Sequence, residues 1–318
     1  MEIVRKMNRS GMFMHYTHAF LMILFLTSDK FHTCACQSYV EDCNNLFDDV
    51  FYSNKYDKDV IPKINASSPV LIIPIFDLVS IGIDDVAQKM YVNGIMGFLW
   101  NDHRLAWEQE KYGNISVIYK STSDVWLPGV QLMNTAGKGN VFKTEDNAHV
   151  IVSNDGSVNW PPGSEISFSC NLDLTKYPFD EQLCTLTLAL LSYSTDTKFS
   201  LEHGSRIDKD SFYDKNEEWH LDTAYLTEGI LRAWGTSSLH IHFLLRRRPT
   251  FVILNIILPV ILLAFLNVLT FLIPVSSGQR ISYAVTMLLS LTVFLSIVSD
   301  RIPHSADNIP HVTIYTCV

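Results

Sequence analysis

Six residues, Ser282, Thr286, Leu289, Val293, Ser296 and Asp300, recur at i, i+4, i+7, i+11, i+14 and i+18, which places them on one face of a helix. None is a nucleophile beside a base, and the chemistry their types suggest is passage rather than bond making. Hydroxyls lie near one end, bulky aliphatics in the middle and a carboxylate at the other. Several copies around an axis would give hydroxyl rings, a hydrophobic constriction that gates by dewetting, and an acidic mouth that favours cations. The competing reading is packing of small polar residues against a neighbouring helix; it suits Ser290 and Thr292, which lie off the stripe. Elsewhere there is no Gly-rich phosphate loop, no His-Glu-x-x-His, no Gly-x-Ser-x-Gly and no acidic pair framed by a histidine. Enzyme is therefore the weakest class and no cofactor is implied. His240 and His242 share one face of a strand-like run and could contribute to a metal site, although such pairs are commonly plain surface, and no metal is assigned.

The elements that must carry the stripe follow from the distribution of charge. The chain has 318 residues, 47% hydrophobic and 18% charged. Between Cys36 and Leu245 there are 15 basic and 29 acidic residues, whereas the 31 positions between Arg248 and Arg280 carry no charge, and none occurs from Ile281 to Ser299. An acidic head joined to an apolar tail excludes disorder, fibrous repeats and nucleic-acid binding. Phe251 to Ile273 is long and apolar enough to cross a bilayer, despite Pro259 in its middle, and Ile281 to Ser299 is a second span. Only Pro274 to Arg280 separates them, so the two run in opposite directions. The run from His311 to Val318 reads as the opening of a third.

Arg5, Lys6 and Arg9, followed by an apolar run from Ala19 to Leu26 and small residues around Ala35, have the layout of a secretory leader over residues 1–35; a retained signal anchor is the alternative. Arg246, Arg247 and Arg248 would by themselves argue for a cytosolic head, but an exported folded head fixes orientation regardless of nearby basic residues. Export makes Asn65 and Asn114 glycosylation acceptors and lets thiols pair. Cys170 and Cys184 enclose 13 residues between two runs of period-two alternation, Ile166 to Leu174 and Cys184 to Leu190. A bridge there would stabilise the head by about 3 kcal/mol. Cys34, Cys36, Cys43 and Cys317 have no assignable partner. Tyr39 to Tyr52 has helical spacing. From Pro69 to Leu245 short apolar runs broken by Gly, Pro, Asn and Asp predict an all-β sandwich, with its clearest strands at Val70 to Ile83, Ile115 to Lys120, Ala148 to Val152 and Leu239 to Leu245. The fold class is an all-β extracellular sandwich with an N-terminal helix, followed by an α-helical transmembrane bundle that is incomplete.

Three segments carry a resemblance: Cys170-Asn-Leu-Asp-Leu-Thr-Lys-Tyr-Pro-Phe-Asp-Glu-Gln-Leu-Cys184, Arg246-Arg-Arg-Pro249, and Met287-Leu-Leu-Ser-Leu-Thr-Val-Phe-Leu295. With Trp100 to Trp107 and Lys111 to Ser116, they make the chain similar to the pentameric Cys-loop receptors, and within them to nicotinic acetylcholine receptor subunits. The resemblance implies a cation-selective, neurotransmitter-gated channel of the plasma membrane, possessing a postsynaptic family setting, assembled with other Cys-loop subunits as a homo- or hetero-pentamer and gated by a small ligand. Its domains would be a leader (1–35), an extracellular sandwich (36–248), spans at 249–273 and 280–299, and the start of a third at 311–318. The family has four spans, so the sequence reads as a fragment or a truncated product. A truncated subunit that dampens its neighbours and a membrane-tethered binding module are the alternatives.

Residue by residue, Asp85, Asp180 and Arg247 match the charged cluster that couples head to membrane in that family, Pro178 matches the Cys-loop proline that tends to be cis, and Asn308 to Pro310 occupies the linker on which the Cys loop presses. The positions of the ligand-caging aromatics instead hold Ile95, Met133, Leu191 and Thr236, which offer no π face to a quaternary ammonium, and no adjacent cysteines occur between Tyr225 and Leu239. The resemblance therefore implies a subunit that does not form the principal acetylcholine face; Tyr193 and Trp234 are expected in core packing or on a rim. At the cytosolic end of the pore helix Gln279 and Arg280 follow Gly278 where a glutamate is usual, leaving Asp300 as the acidic ring.

Overall fold

The computed structural model describes residues 39–136, 148–162, 164–202, 205–208, 211–274 and 278–301. A helix over 39–47 continues as a wider turn, Asp48–Ser53, and seats Leu46, Val50 and Phe51 on the head. Among the described residues twelve strands follow: β1 (Val70–Asp84), β2 (Lys89–Asn101), β3 (Val117–Ser121), β4 (Val130–Leu132), β5 (His149–Ser153), β6 (Ser157–Trp160), β7 (Ser164–Ser169), β8 (Glu181–Leu190), β9 (Thr197–Phe199), β10 (Arg206–Asp208), β11 (Trp219–Leu231) and β12 (Thr236–Arg247). Eight form one sheet, in the order β10-β1-β2-β6-β5-β3 with β7 on β2 and β9 on β1, and four form the other, β11-β12-β8-β4.

The two sheets close on side chains that the alternation of each strand turns inward. Phe243 of β12 lies 6.4 Å from Phe76 of β1 and 6.3 Å from Phe168 of β7, ring centre to ring centre. Every residue of the two alternating sets is buried: Ile166, Phe168, Cys170, Leu172 and Leu174 before the loop, Cys184, Leu186, Leu188 and Leu190 after it. Sequence alternation thus located the inner face, although β7 ends at Ser169 and the chain from Cys170 to Leu174 packs inward without strand pairing. Gly94 sits in the middle of β2 because a Cβ there would lie 2.7 Å from both the Asp77 carbonyl oxygen and the Phe76 ring.

Among the described residues two helices follow the head. The first runs Thr250–Leu272, and the second runs Arg280–Arg301. Both are long and apolar enough to cross a membrane by length and composition. Pro259 has no N–H for the carbonyl one turn back, and a π turn over Ile253–Ile257 precedes it, with Asn255 Nδ2 donating to the Phe251 carbonyl at 2.9 Å. The pair is antiparallel: Tyr283, early in the second helix, donates its hydroxyl to the Leu266 carbonyl, late in the first, at 3.0 Å. The leader over 1–35, Cys34, Cys36 and Cys317, the linker from Asn308 to Pro310 and the run 311–318 lie outside the described residues.

Candidate functional site

Where β12 passes into the first helix, three consecutive arginines are dealt alternately to the two faces of the strand. Arg246 faces out and pairs with Glu181 at 3.2 Å and with Asp222 at 2.8 Å. Arg247 faces in. Its Nε donates to Asp180 Oδ1 at 2.8 Å, Nη2 to Asp180 Oδ2 at 3.2 Å and Nη1 to Asp85 Oδ2 at 2.6 Å. The structure thus brings Asp85, Asp180 and Arg247 together. Burial works against the guanidinium charge, but hydrogen bonds and charge from Asp180 and Asp85 outweigh it and raise its pKa.

Two further supports had no sequence signal strong enough to single them out. The guanidinium carbon lies 4.1 Å from the Trp219 ring centre and 4.9 Å from that of Tyr177, so the cation is also faced by two aromatic rings. Strand register explains the first, since Trp219 pairs with Arg247 across the ladder. Gln182 stitches the loop behind the cluster: its Nε2 donates to Asp180 Oδ2 at 2.6 Å and to the Asp173 carbonyl at 2.8 Å, while its Oε1 accepts from the Asp173 N–H at 2.9 Å. The Cys170–Cys184 disulfide closes that loop, the Tyr177–Pro178 bond within it is cis, and Phe179 beside it is exposed. Below the cluster a cavity of about 320 Å³ is lined by Asp85, Glu218, Arg248, Phe251, Asn255 and Phe294 among others, and Asp85 Oδ1 is buried there without a hydrogen-bond partner.

The four positions expected to lack aromatics divide between the sheets. Met133 follows β4, Leu191 follows β8 and Thr236 begins β12, all at one end of the four-stranded sheet, whereas Ile95 lies on β2 in the other sheet and is exposed. Thr236 is fully buried and its hydroxyl donates to the Leu190 carbonyl at 2.8 Å. Tyr193 packs on the buried Trp126, 5.4 Å between ring centres, and Trp234 stands 60% exposed in the turn between β11 and β12. One is core packing and the other a rim, the two alternatives left open for them.

Ser282, Thr286, Leu289, Val293 and Ser296 are all exposed on the second helix. The half-buried residues Tyr283, Met287, Leu291 and Phe294 define the face toward the first helix, and at 100° per residue the stripe is centred about 140° away. Thr286 donates its hydroxyl to the Ser282 carbonyl at 2.9 Å, so its oxygen keeps acceptor capacity. Asp300 falls in the final turn of the same helix. At the other end Gln279 accepts from the Tyr283 N–H at 3.0 Å through its carbonyl, and the Arg280 guanidinium lies 5.8 Å from the Phe271 ring centre. Asn65 and Asn114 are both exposed, in turns. Cys43 is a free, half-buried thiol. Among the described residues no three His, Cys, Asp or Glu side chains gather as a metal set.

A two-sheet head carrying a 13-residue disulfide loop, set on a pair of apolar helices, defines a class of membrane receptor. The comparisons with known proteins specify it. Residues 44–249 match the neurotransmitter-gated ion-channel ligand binding domain, and residues 256–318 match the neurotransmitter-gated ion-channel transmembrane region. The chain belongs to this Cys-loop, nicotinic-receptor-like family. It is 30% identical to the neuronal acetylcholine receptor subunit alpha-6 of Gallus gallus over 91% of this chain and 58% of that protein. It is 31% identical to the neuronal acetylcholine receptor subunit beta-3 of Gallus gallus over 91% and 63%, and 32% identical to the acetylcholine receptor subunit beta-type lev-1 of Caenorhabditis elegans over 93% and 57%. The chain spans about half the length of the curated relatives it matches.

Proposed function

We propose that the chain is a subunit of a pentameric, cation-selective channel of the plasma membrane, opened by a small ligand bound to an extracellular head and assembled with other subunits of its family. The observation that carries this reading is the Arg247 cluster: one buried cation, at the residue where the head becomes a membrane helix, holds both the disulfide loop through Asp180 and the first hairpin through Asp85. Partly desolvated ion pairs of this kind have discrete alternatives rather than a continuum, and a ligand that shifts the head relative to the loop shifts which pairing is stable.

In this reading residues 1–35 are a leader, 36–248 the extracellular head, 249–273 and 280–299 the first two spans, and 311–318 the start of a third. The stripe from Ser282 to Asp300 lines the pore. The exposed hydroxyl oxygen of Thr286 can accept a passing cation, Leu289 and Val293 form the dewetting constriction, and Asp300 supplies an acidic outer ring while Gln279 and Arg280 mark the cytosolic end. The excess acid of the head concentrates cations above it, and Asn65 and Asn114 carry glycans. With no π face at Met133, Leu191 and Thr236, the subunit does not form the principal acetylcholine face and depends on a partner for it.

Expression in oocytes with nicotinic partner subunits tests this. Agonist-evoked current should reverse with the sodium gradient, and Leu289→Ser, which wets the constriction, should lower the half-activating agonist concentration. A reversal potential that follows chloride contradicts cation selectivity, and a robust acetylcholine current from this chain alone contradicts the pocket reading.

A further inference from the structure

β1 opens with apolar residues on both of its faces. Val70 and Ile72 turn into the core, while Leu71, 49% exposed, and Ile73 turn outward. Strand register sets Leu99 of β2 beside Ile73, and two residues further on it sets Asn101 of β2 beside Ser157 of β6. The outer face of the eight-stranded sheet therefore carries an apolar floor that ends in a polar rim. Asn101 donates its Nδ2 to the Asp155 carbonyl at 3.2 Å, and Ser157 donates its hydroxyl to Asp155 Oδ2 at 3.0 Å, so each keeps a side-chain oxygen able to accept. The loop before β1 closes the other side with Ile64 and Asn65, and the whole forms a groove of about 430 Å³.

Asn65 is the residue of this groove to which a ligand can be tied. Its Oδ1 accepts from the Ser67 N–H at 3.2 Å, the Ser67 hydroxyl at 3.0 Å and the Ser68 N–H at 2.8 Å, which fixes the amide plane, while its Nδ2 makes no hydrogen bond among the described residues. Lys63 holds the loop, its Nζ donating to the Ala66 carbonyl at 2.8 Å and to Asp196 Oδ1 at 2.7 Å. From this arrangement we infer that the groove seats the first N-acetylglucosamine of a glycan carried on Asn65 Nδ2, an inference that rests on the proposed extracellular placement of the head. A pyranose ring presents C–H groups on its faces and hydroxyls around its edge; the groove presents aliphatic side chains on its floor and oxygens at its rim. Covalent attachment makes the contact intramolecular, and an amide held in one plane loses little further freedom on docking. The seated sugar covers Leu71 and Leu99, apolar surface that strand alternation has left outside the core. A glycan rooted at the rim also stands in the way of a protein partner, so the residue that supplies this occupant obstructs the other.

The full chain, produced with high-mannose glycans and held in nanodiscs, can be trimmed with endoglycosidase H so that a single N-acetylglucosamine stays on Asn65. Mass spectrometry of the Asn65 peptide reads occupancy, and thermal unfolding reads docking. We expect Asn65→Gln, which carries no sugar there, to unfold about 2–4 °C below the trimmed chain, and Leu71→Ser to lower the midpoint of the trimmed chain more than that of Asn65→Gln. In the untrimmed, folded chain, peptide:N-glycosidase should release the glycan of Asn65 faster from Leu71→Ser than from wild type, because the first sugar is no longer held against the sheet. If Asn65→Gln does not fold, this release rate decides in its place. An Asn65 peptide without sugar overturns the inference together with the glycan proposed for that residue. An occupied Asn65 with an equal effect of Leu71→Ser in both backgrounds and an unchanged release rate overturns the docking alone. Loss of assembly with a partner subunit in Leu71→Ser, with neither change at Asn65, gives the groove to a subunit contact and likewise overturns it.

Discussion

The two ends of the head treat a positive charge in opposite ways. At its base Arg247 is held by two carboxylates and faced by two aromatic rings, with Gln182 fastening the loop behind them. Toward the far end of the same sheet, Met133 and Leu191 are aliphatic, Thr236 is fully buried, and the aromatic residues nearby are committed elsewhere, Tyr193 to Trp126 and Trp234 to the outside of a turn. The contrast separates two jobs that share a scaffold. In the proposed channel, transmission from head to membrane would use a cation whose aromatic and acidic partners are internal to the chain, whereas capture of a cationic ligand would need such groups left vacant, as at a partner subunit's face.

Removing the resident cation should have the largest effect. Arg247→Ala leaves Asp180 buried without its partner and should destabilise the head by about 3–5 kcal/mol, read as the midpoint shift in denaturation of the full chain, while Arg247→Lys, which keeps charge but not the fork, should lose less. A shift no larger than that of an exposed arginine such as Arg232 would erase the contrast. Replacing Cys170 and Cys184 together by serine should cost about 3 kcal/mol through the loop they close, measured the same way against oxidised wild type. Gln182→Leu removes three hydrogen bonds around Asp173 and Asp180 and should cost about 1–3 kcal/mol, with Gln182→Glu unable to restore the bond to Asp180.

The upper end can be pushed toward the lower. Met133→Tyr with Leu191→Trp should strengthen binding of tetramethylammonium by about 0.5–2 kcal/mol, followed by calorimetry; no gain would mean that the backbone there, and not only the side chains, has abandoned the site. The smallest effect concerns His240 and His242. Their folded pKa values are lowered by burial, so the folded state binds fewer protons than the unfolded chain. Their contribution to stability is complete above the unfolded value of about 6.5 and is lost as pH falls through the folded values. Replacing both by glutamine should flatten the stability profile on the acid side of about pH 6.5.

Much of this architecture was legible in the chain because period-two alternation and uncharged stretches are local. β1, β5, β12 and both membrane helices fall close to the expected ranges, and the disulfide closes where alternation flanks its cysteines. What was not legible depends on distant pairing. β2 carries Gly94 and Gly97, which read locally as breaks, although Gly94 is required by the approach of Asp77 and Phe76. The parallel contacts of β9 and β10 with β1 join residues more than a hundred positions apart. Tyr56, whose hydroxyl donates to the buried Asp102 at 2.9 Å while accepting the Trp126 N–H, ties three distant segments together and left no mark in the local pattern; burial, reinforced by Asp102, pushes its pKa up. Trp219 and Tyr177 were invisible beside Arg247 for the same reason, since only strand register and the closed loop deliver them.

The π turn at Ile253–Ile257 works as a phase shifter. One added residue in a turn rotates everything beyond it by about 100° relative to an unbroken α-helix, so the part of the first helix that seats Val252 and Ile256 against the head and the part that runs on through Phe265 are set by separate angular choices. Deleting a single residue inside that turn would leave the hydrophobic length almost unchanged yet swing the distal half around its axis, presenting a different set of side chains to lipid and to Tyr283. Orientation along this helix is therefore encoded by a count of residues rather than by the identity of any one of them.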